Sequence, residues 1–251
     1  RYPLVTGVQT CALPISLGLI RHINLMKNIT KTEAVPTKVL SFEEAEFAKL
    51  LVNCFVTMKI SFANFVGQLS YAFPGDVSAD KILDAVGEDS RIGKLYLRSG
   101  LGFAGPCFPR DNRALAAVAR DYGLDARLSK AVDAINSSIP MEIVKRLASQ
   151  VENQIIGIVG VAYKKDTTVT EESQTLEIAR LWAKENGQVF WWDPLVYELP
   201  ENLHYTLPCN ADRPRAPPPA LVDDRRCDSW IREFLSRSAS TSASVGRNCH
   251  V

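Results

Sequence analysis

The segment from Ser41 to Phe73 constrains this chain most. Ser41 followed by Glu44 is the pattern in which a hydroxyl and a carboxylate cap each other's backbone amides, and no proline follows until Pro74. One long uninterrupted helix is therefore predicted. Within it Glu46, Lys49, Asn53, Thr57 and Asn64 recur at spacings of three, four and seven, a single polar stripe on an otherwise apolar rod. Such a stripe usually faces solvent. Here the remaining faces are so apolar that most of the rod has to be buried, so Lys49 and Asn53, one turn apart, can face a shared cleft. The apolar rod also calls for a partner helix, from a second copy or from the same chain.

The second informative stretch is Ser99-Gly-Leu-Gly-Phe-Ala-Gly-Pro-Cys-Phe-Pro-Arg-Asp-Asn112, a glycine-rich loop that runs through Cys107 into a helix start. Arg110 and the amides of a helix beginning near Asp111 both favour a thiolate, the reactive form of cysteine. The alternative is that Cys107 is a small buried apolar residue. Gly100, Gly102 and Gly105 match the G-x-G-x-x-G dinucleotide fingerprint in spacing, but that motif needs a buried strand immediately upstream. Arg91-Ile-Gly-Lys-Leu-Tyr-Leu-Arg98 is broken by charged residues instead of forming an apolar run, so these glycines are read as letting backbone approach a substrate.

Residues 155–161 (Ile-Ile-Gly-Ile-Val-Gly-Val) suit a buried parallel strand, 175–187 a helix, and 189–192 a further strand. In open sheets ligands sit beyond the carboxyl ends of strands, which puts Tyr163, Lys164 and Lys165 where a nucleotide diphosphate could bind.

Together the Gly-rich loop with Cys-Phe-Pro-Arg-Asp (107–111), the Ser41–Lys49 segment with Asn53 and Lys59–Asn64, Asp89–Gly93, and Gly160–Thr167 with Glu171–Ser173 and Asp193-Pro194 resemble the UDP-glucose/GDP-mannose dehydrogenase family. The resemblance covers roughly residues 17–200. It implies an α/β protein: a mainly α-helical central domain, followed by the start of an incomplete Rossmann-like parallel α/β domain. It also implies oxidation of a nucleotide-sugar C6 alcohol to a carboxylate, with hydrides passing to NAD, for polysaccharide precursors in the cytoplasm.

The resemblance assigns roles residue by residue. Cys107 would carry a thiohemiacetal and then a thioester; Lys49 and Asn53 would stabilise the oxyanion, and Asp111 would orient or activate water. Asp111 can equally be an ordinary first-turn acid at a helix start. Arg91, Tyr96, Gly102, Phe103, Gly105, Phe108 and Lys164 would contact substrate, with Gly105 and Cys107 also beside the cofactor. Arg91 would reach the sugar in a neighbouring subunit, making the site depend on a homodimer built through the central helix. The chain departs from the family at Val169 and Glu171, at Phe65 after Asn64, and at Ala104, which suggests a changed substrate.

Residues 1–16 resemble the in-frame translation of a short-read sequencing adapter and are set apart from the fold. Residues 17–40 would be a remnant of the NAD-binding domain, 41–150 the helical central dimerisation and catalytic domain, and 151–208 a partial UDP-sugar-binding domain. Residues 209–251, with seven arginines, no lysine and a Pro217-Pro-Pro219 run, read as a frameshifted or disordered tail. No upstream strand and fingerprint appear, so the family's NAD-binding half is expected to be missing and the chain inactive alone.

With 46% hydrophobic residues and a net charge of +1, the composition is that of an ordinary soluble protein and suggests neither nucleic-acid nor membrane binding. Of six cysteines, Cys54 and Cys107 lie in the central region, which supports no disulfide framework, and three histidines give no zinc-like spacing. Two other function classes stay open: a non-catalytic helical dimerisation or nucleotide-sugar-binding module, and a redox-sensing thiol domain with Cys54 as the resolving partner.

Overall fold

A computed structural model describes residues 41–151, 155–185, 187–199 and 244–246, with isolated positions before Ser41. The expectations for residues 1–16, and for the tail apart from 244–246, lie outside the described residues. So does most of 17–40.

Helix α1 runs Phe42–Ala72, 31 residues, and opens on the capping box read from the sequence. Ser41 Oγ accepts from the Glu44 amide at 3.2 Å, and the Ser41 amide donates to the Glu44 carboxylate at 2.8 Å. The helix stops at Phe73, whose extended ψ of 140° is the conformation a residue before proline is pushed towards. Helices α2 (Ala79–Gly87), α3 (Phe108–Asp121) and α4 (Arg127–Ala148) follow, and α1 packs against all three.

The burial pattern of α1 reverses the ordinary amphipathic arrangement. Its buried residues include Thr57, Ser61, Asn64 and Ser70, while Phe47, Leu51, Phe55, Phe62, Phe65 and Leu69 are exposed. The polar stripe faces α3 and α4; the aromatic face lies open. Small polar side chains let the helices approach closely, and Thr57 and Ser61 find backbone partners: Thr57 Oγ1 donates to the Cys54 carbonyl at 2.9 Å and Ser61 Oγ to the Val132 carbonyl at 3.2 Å. By length and composition α1 could cross a membrane. Its buried Asn64 and part-buried Lys49 and Lys59 instead match packing onto a polar protein surface.

Beyond α4, strand β1 (Ile155–Val159), helix α5 (Gln174–Lys184) and strand β2 (Gln188–Trp192) form a parallel strand–helix–strand unit. Both strands lie within two residues of their expected spans, and α5 ends at Lys184, three residues short of the expected 187. Ile155 pairs with Gln188 and Val159 with Trp192, and β3 (Ser244–Gly246) pairs parallel on the other side of β1, giving the order β2-β1-β3. Val144, Ile156, Val161, Leu176, Trp182 and Val189 form its core and join it to α4. Asp193, at the end of β2, accepts from the amides of Val161, Ala162, Leu195 and Val196 at 2.8–3.1 Å, tying the carboxyl ends of both strands together.

Candidate active site

Four of the residues singled out in the sequence converge where α1 meets the start of α3. Asp111, 5% exposed, receives the Asn53 carboxamide at 2.6 Å, and Lys49 Nζ lies 3.7 Å from the same carboxylate oxygen. Arg110 covers the other oxygen at 2.9 Å while remaining largely exposed. The spacing explains the convergence: Lys49 and Asn53 are one helical turn apart, so both reach one point across the α1–α3 contact.

Cys107 is exposed and is the N-cap residue of α3; its carbonyl accepts from the Asp111 amide at 2.8 Å. The thiol and the carboxylate are therefore one turn apart. Arg110 interacts with both: Asp111 first, then Cys107, hold its guanidinium above the ordinary arginine value. The sequence reading placed Arg110 and a helix N-terminus beside Cys107, and both are there.

Cys54 has a different environment. It is buried, donates to the Asp111 carbonyl at 3.4 Å, and burial foremost, with the Asp111 charge, pushes its thiol up to about 11 from 9.0. At about pH 8.5 iodoacetamide should label Cys107 and spare Cys54, as peptide mass mapping would record. Because the folded state holds the Cys54 proton more tightly than the unfolded one, its contribution to stability is complete below pH 9 and lost as pH rises through about 11. Cys54→Ala should flatten that part of the stability profile, measured by urea unfolding.

The glycine loop leading to Cys107 is held at several points. Gly105, at φ 81°, donates to the Glu171 carbonyl at 2.9 Å, and a Cβ there would stand 2.4 Å from the Tyr163 ring. Glycine is required on both counts. Tyr163, after β1, meets Gly105 of the cysteine loop, and Lys164 Nζ lies 5.3 Å from the centroid of the Tyr163 ring. Phe103 and Phe108 meet edge to face at 6.5 Å. Upstream of Gly100, residues 93–99 form no strand, which agrees with rejecting the dinucleotide fingerprint.

Arg91 does not join this cluster: its side chain is 86% exposed and pairs with Asp89 at 2.6 Å. The turn carrying it is fixed by Lys59, which donates to the carbonyls of Ile92 and Gly93 at 3.0 and 3.1 Å. Tyr96 is exposed and takes φ 60°, a conformation uncommon outside glycine. Glu171 is exposed, and its neighbour Glu172 pairs with Arg113 of α3. A cavity of about 490 Å³ between α1, α4 and β1 includes Asn64, Ser99, Gly100 and Leu101 but none of Lys49, Asn53, Cys107 or Asp111. Sequence reasoning missed Asn136, a lone asparagine in α4 whose partners lie 33 residues away, and no local pattern marks it.

The chain belongs to the UDP-glucose/GDP-mannose dehydrogenase family, whose central domain matches residues 43–138. It is 34% identical over 169 residues to the UDP-glucose 6-dehydrogenase TuaD of Bacillus subtilis, covering 66% of this chain and 36% of that protein. To the UDP-glucose 6-dehydrogenase AglM of Haloferax volcanii it is 30% identical over 165 residues, covering 65% and 38%. The UDP-glucose dehydrogenase from Pyrobaculum islandicum superposes with a TM-score of 0.62 at 35% identity, over 70% of this chain and 41% of that structure. The chain thus spans well under half the length of these relatives.

Proposed function

We propose that this chain carries the reaction centre of a nucleotide-sugar 6-dehydrogenase, which oxidises the C6 alcohol of a UDP-sugar to a carboxylate for polysaccharide precursors. The observation that carries the reading is the Asp111 carboxylate held by Asn53 and Lys49, one turn from the exposed thiol of Cys107.

In this reading the alcohol is first oxidised to an aldehyde. The Cys107 sulfur then adds to C6, and the oxygen that becomes negative is stabilised by Lys49 Nζ and the Asn53 carboxamide. Loss of a second hydride from C6 leaves a thioester on Cys107. Water oriented by Asp111 attacks it, releasing the acid and restoring the thiol. NAD would take up the hydrides, as the family resemblance implies, with Gly105 and Cys107 beside it. Lys164, beyond the carboxyl end of β1, would meet the diphosphate of the substrate. The strand–helix–strand unit is read as the opening of a Rossmann-like domain. Val169 and Glu171 lie in the segment that docks on Gly105, which supports a shifted preference among UDP-sugars, with UDP-glucose still bound.

The working unit is a homodimer. Phe47, Leu51, Phe55, Phe62, Phe65 and Leu69 recur at spacings of four, four, seven, three and four along one exposed face of α1, a self-complementary stripe for a second copy. The exposed Arg91 would then reach the partner's site.

UDP-glucose should protect Cys107 from iodoacetamide, slowing alkylation by about fivefold or more at saturation, whereas free glucose should not. Equal alkylation with and without UDP-glucose would remove the nucleotide sugar from this reading.

A further inference from the structure

We propose that Asn136 and Asn64 are positioning residues, two buried carboxamides that hold the backbone of residues 100–103 in the shape that receives the nucleotide sugar. What the loop receives rests on the function proposed above; how the loop is held rests on geometry alone.

Asn136 of α4 is 6% exposed and satisfies both backbone groups of a single residue. Its Oδ1 accepts from the Phe103 amide at 2.7 Å, and its Nδ2 donates to the Phe103 carbonyl at 3.0 Å. Asn64 of α1 is 3% exposed and does the same three residues earlier, accepting from the Gly100 amide at 2.8 Å and donating to the Leu101 carbonyl at 3.3 Å. Two helices thus grip one loop through its main chain.

Neither asparagine is explained by its helix. Asparagine is a poor helix-interior residue, and a buried carboxamide is costly unless both of its ends are bonded, so a position needed for packing alone would favour leucine or alanine. The loop is fitted to the clamp in turn. A Cβ on Gly102 would stand 2.2 Å from Asn136 Oδ1 and 2.8 Å from Gln174 Oε1, so glycine lets the backbone close onto both. Gln174 Oε1 is buried with no partner among the described residues. Pro140 lies four residues after Asn136 and withholds the amide that the Asn136 carbonyl would otherwise accept, loosening α4 where the clamp is made.

With residues 100, 101 and 103 committed, the amides of Leu101, Gly102 and Ala104 have no acceptor among the described residues. The clamp therefore sets the loop's backbone before a ligand arrives, and a pre-set loop binds without an ordering cost. The same grip locates Phe103, whose ring meets Phe108 beside Cys107.

Asn136→Asp in the full 251-residue chain tests this, because a carboxyl has the carboxamide's shape. Ionised, it loses the donor and sets a negative charge against the Phe103 carbonyl; protonated, its O–H restores the bond. Gly102, Phe103 and Gln174, around the carboxamide, carry no titratable group. By calorimetry with UDP-glucose, N136D should bind about tenfold or more weakly than the parent at about pH 8 and return to within about threefold of it at about pH 5. Asn64→Asp should behave alike. A merely structural role would lower the melting temperature yet leave the folded protein's affinity equal to the parent's at both pH values, and that result overturns the proposal. If the parent itself fails to bind UDP-glucose, the function reading falls and amide hydrogen exchange of residues 99–105 decides the clamp. Faster exchange in N136D than in the parent at the higher pH, restored at the lower, upholds it; equal exchange rejects it.

Discussion

A chain carrying Phe55→Glu together with Phe62→Glu should elute as a monomer at concentrations where the parent elutes as a dimer. Both rings lie half exposed or more at the middle of the open face of α1, seven residues apart and hence on the same side of the helix. Burying one such side chain contributes about 1.5–3 kcal/mol, and a two-fold interface uses each residue twice. Four lost aromatic contacts and four introduced charges should raise the dissociation constant by about a thousandfold or more. The variant should keep its helix content, because neither side chain takes part in the packing of α1 on α3 and α4. Light scattering coupled to size exclusion reads the mass directly. A parent that is monomeric at all concentrations would contradict the dimer, as would a dimeric double variant.

Asp111→Leu should have the largest effect on the reaction centre itself. The carboxylate is buried and binds Asn53, Lys49 and Arg110 at once, so removing it leaves a part-buried lysine and a carboxamide with no acceptor. Stranding such groups costs about 1–3 kcal/mol, seen as a melting temperature lower by several degrees. Asp111→Asn separates shape from charge. It keeps an oxygen for the Asn53 bond and should recover most of the stability, while water activation, worth about a hundredfold or more, should still be lost. Circular dichroism melts and the hydrolysis rate of acylated Cys107 give the two readouts. Equal hydrolysis in D111N and the parent would reduce Asp111 to a helix-start acid.

The contrast between Asn53 and Asn136 shows which parts of the site can be read along the chain. Lys49 and Asn53 are legible because they sit one turn apart on a capped helix with no internal proline, and a polar pair on an apolar rod must face something. Cys107, Arg110 and Asp111 are legible because proline, cysteine and acid mark a helix start at the end of a glycine loop. The parallel strands follow from a short apolar run and its spacing from the next. Periodicity does not say which face of α1 meets the rest of the chain. The small polar face is buried here and the aromatic face left open, since close helix packing favours serine, threonine and alanine. Asn136 and Tyr163 meet backbone tens of residues away, at Phe103 and Gly105, a relation that exists once α4 and β1 have folded against the loop.

The most direct test of the account is carbon-13 NMR of the 251-residue chain with the 6-aldehyde of UDP-glucose labelled at C6. The account predicts a C6 resonance distinct from free aldehyde and its hydrate, the thiohemiacetal on Cys107. It should be absent from Cys107→Ala and displaced by excess UDP. An aldehyde that binds without forming that resonance, or a resonance that persists in Cys107→Ala, would contradict it.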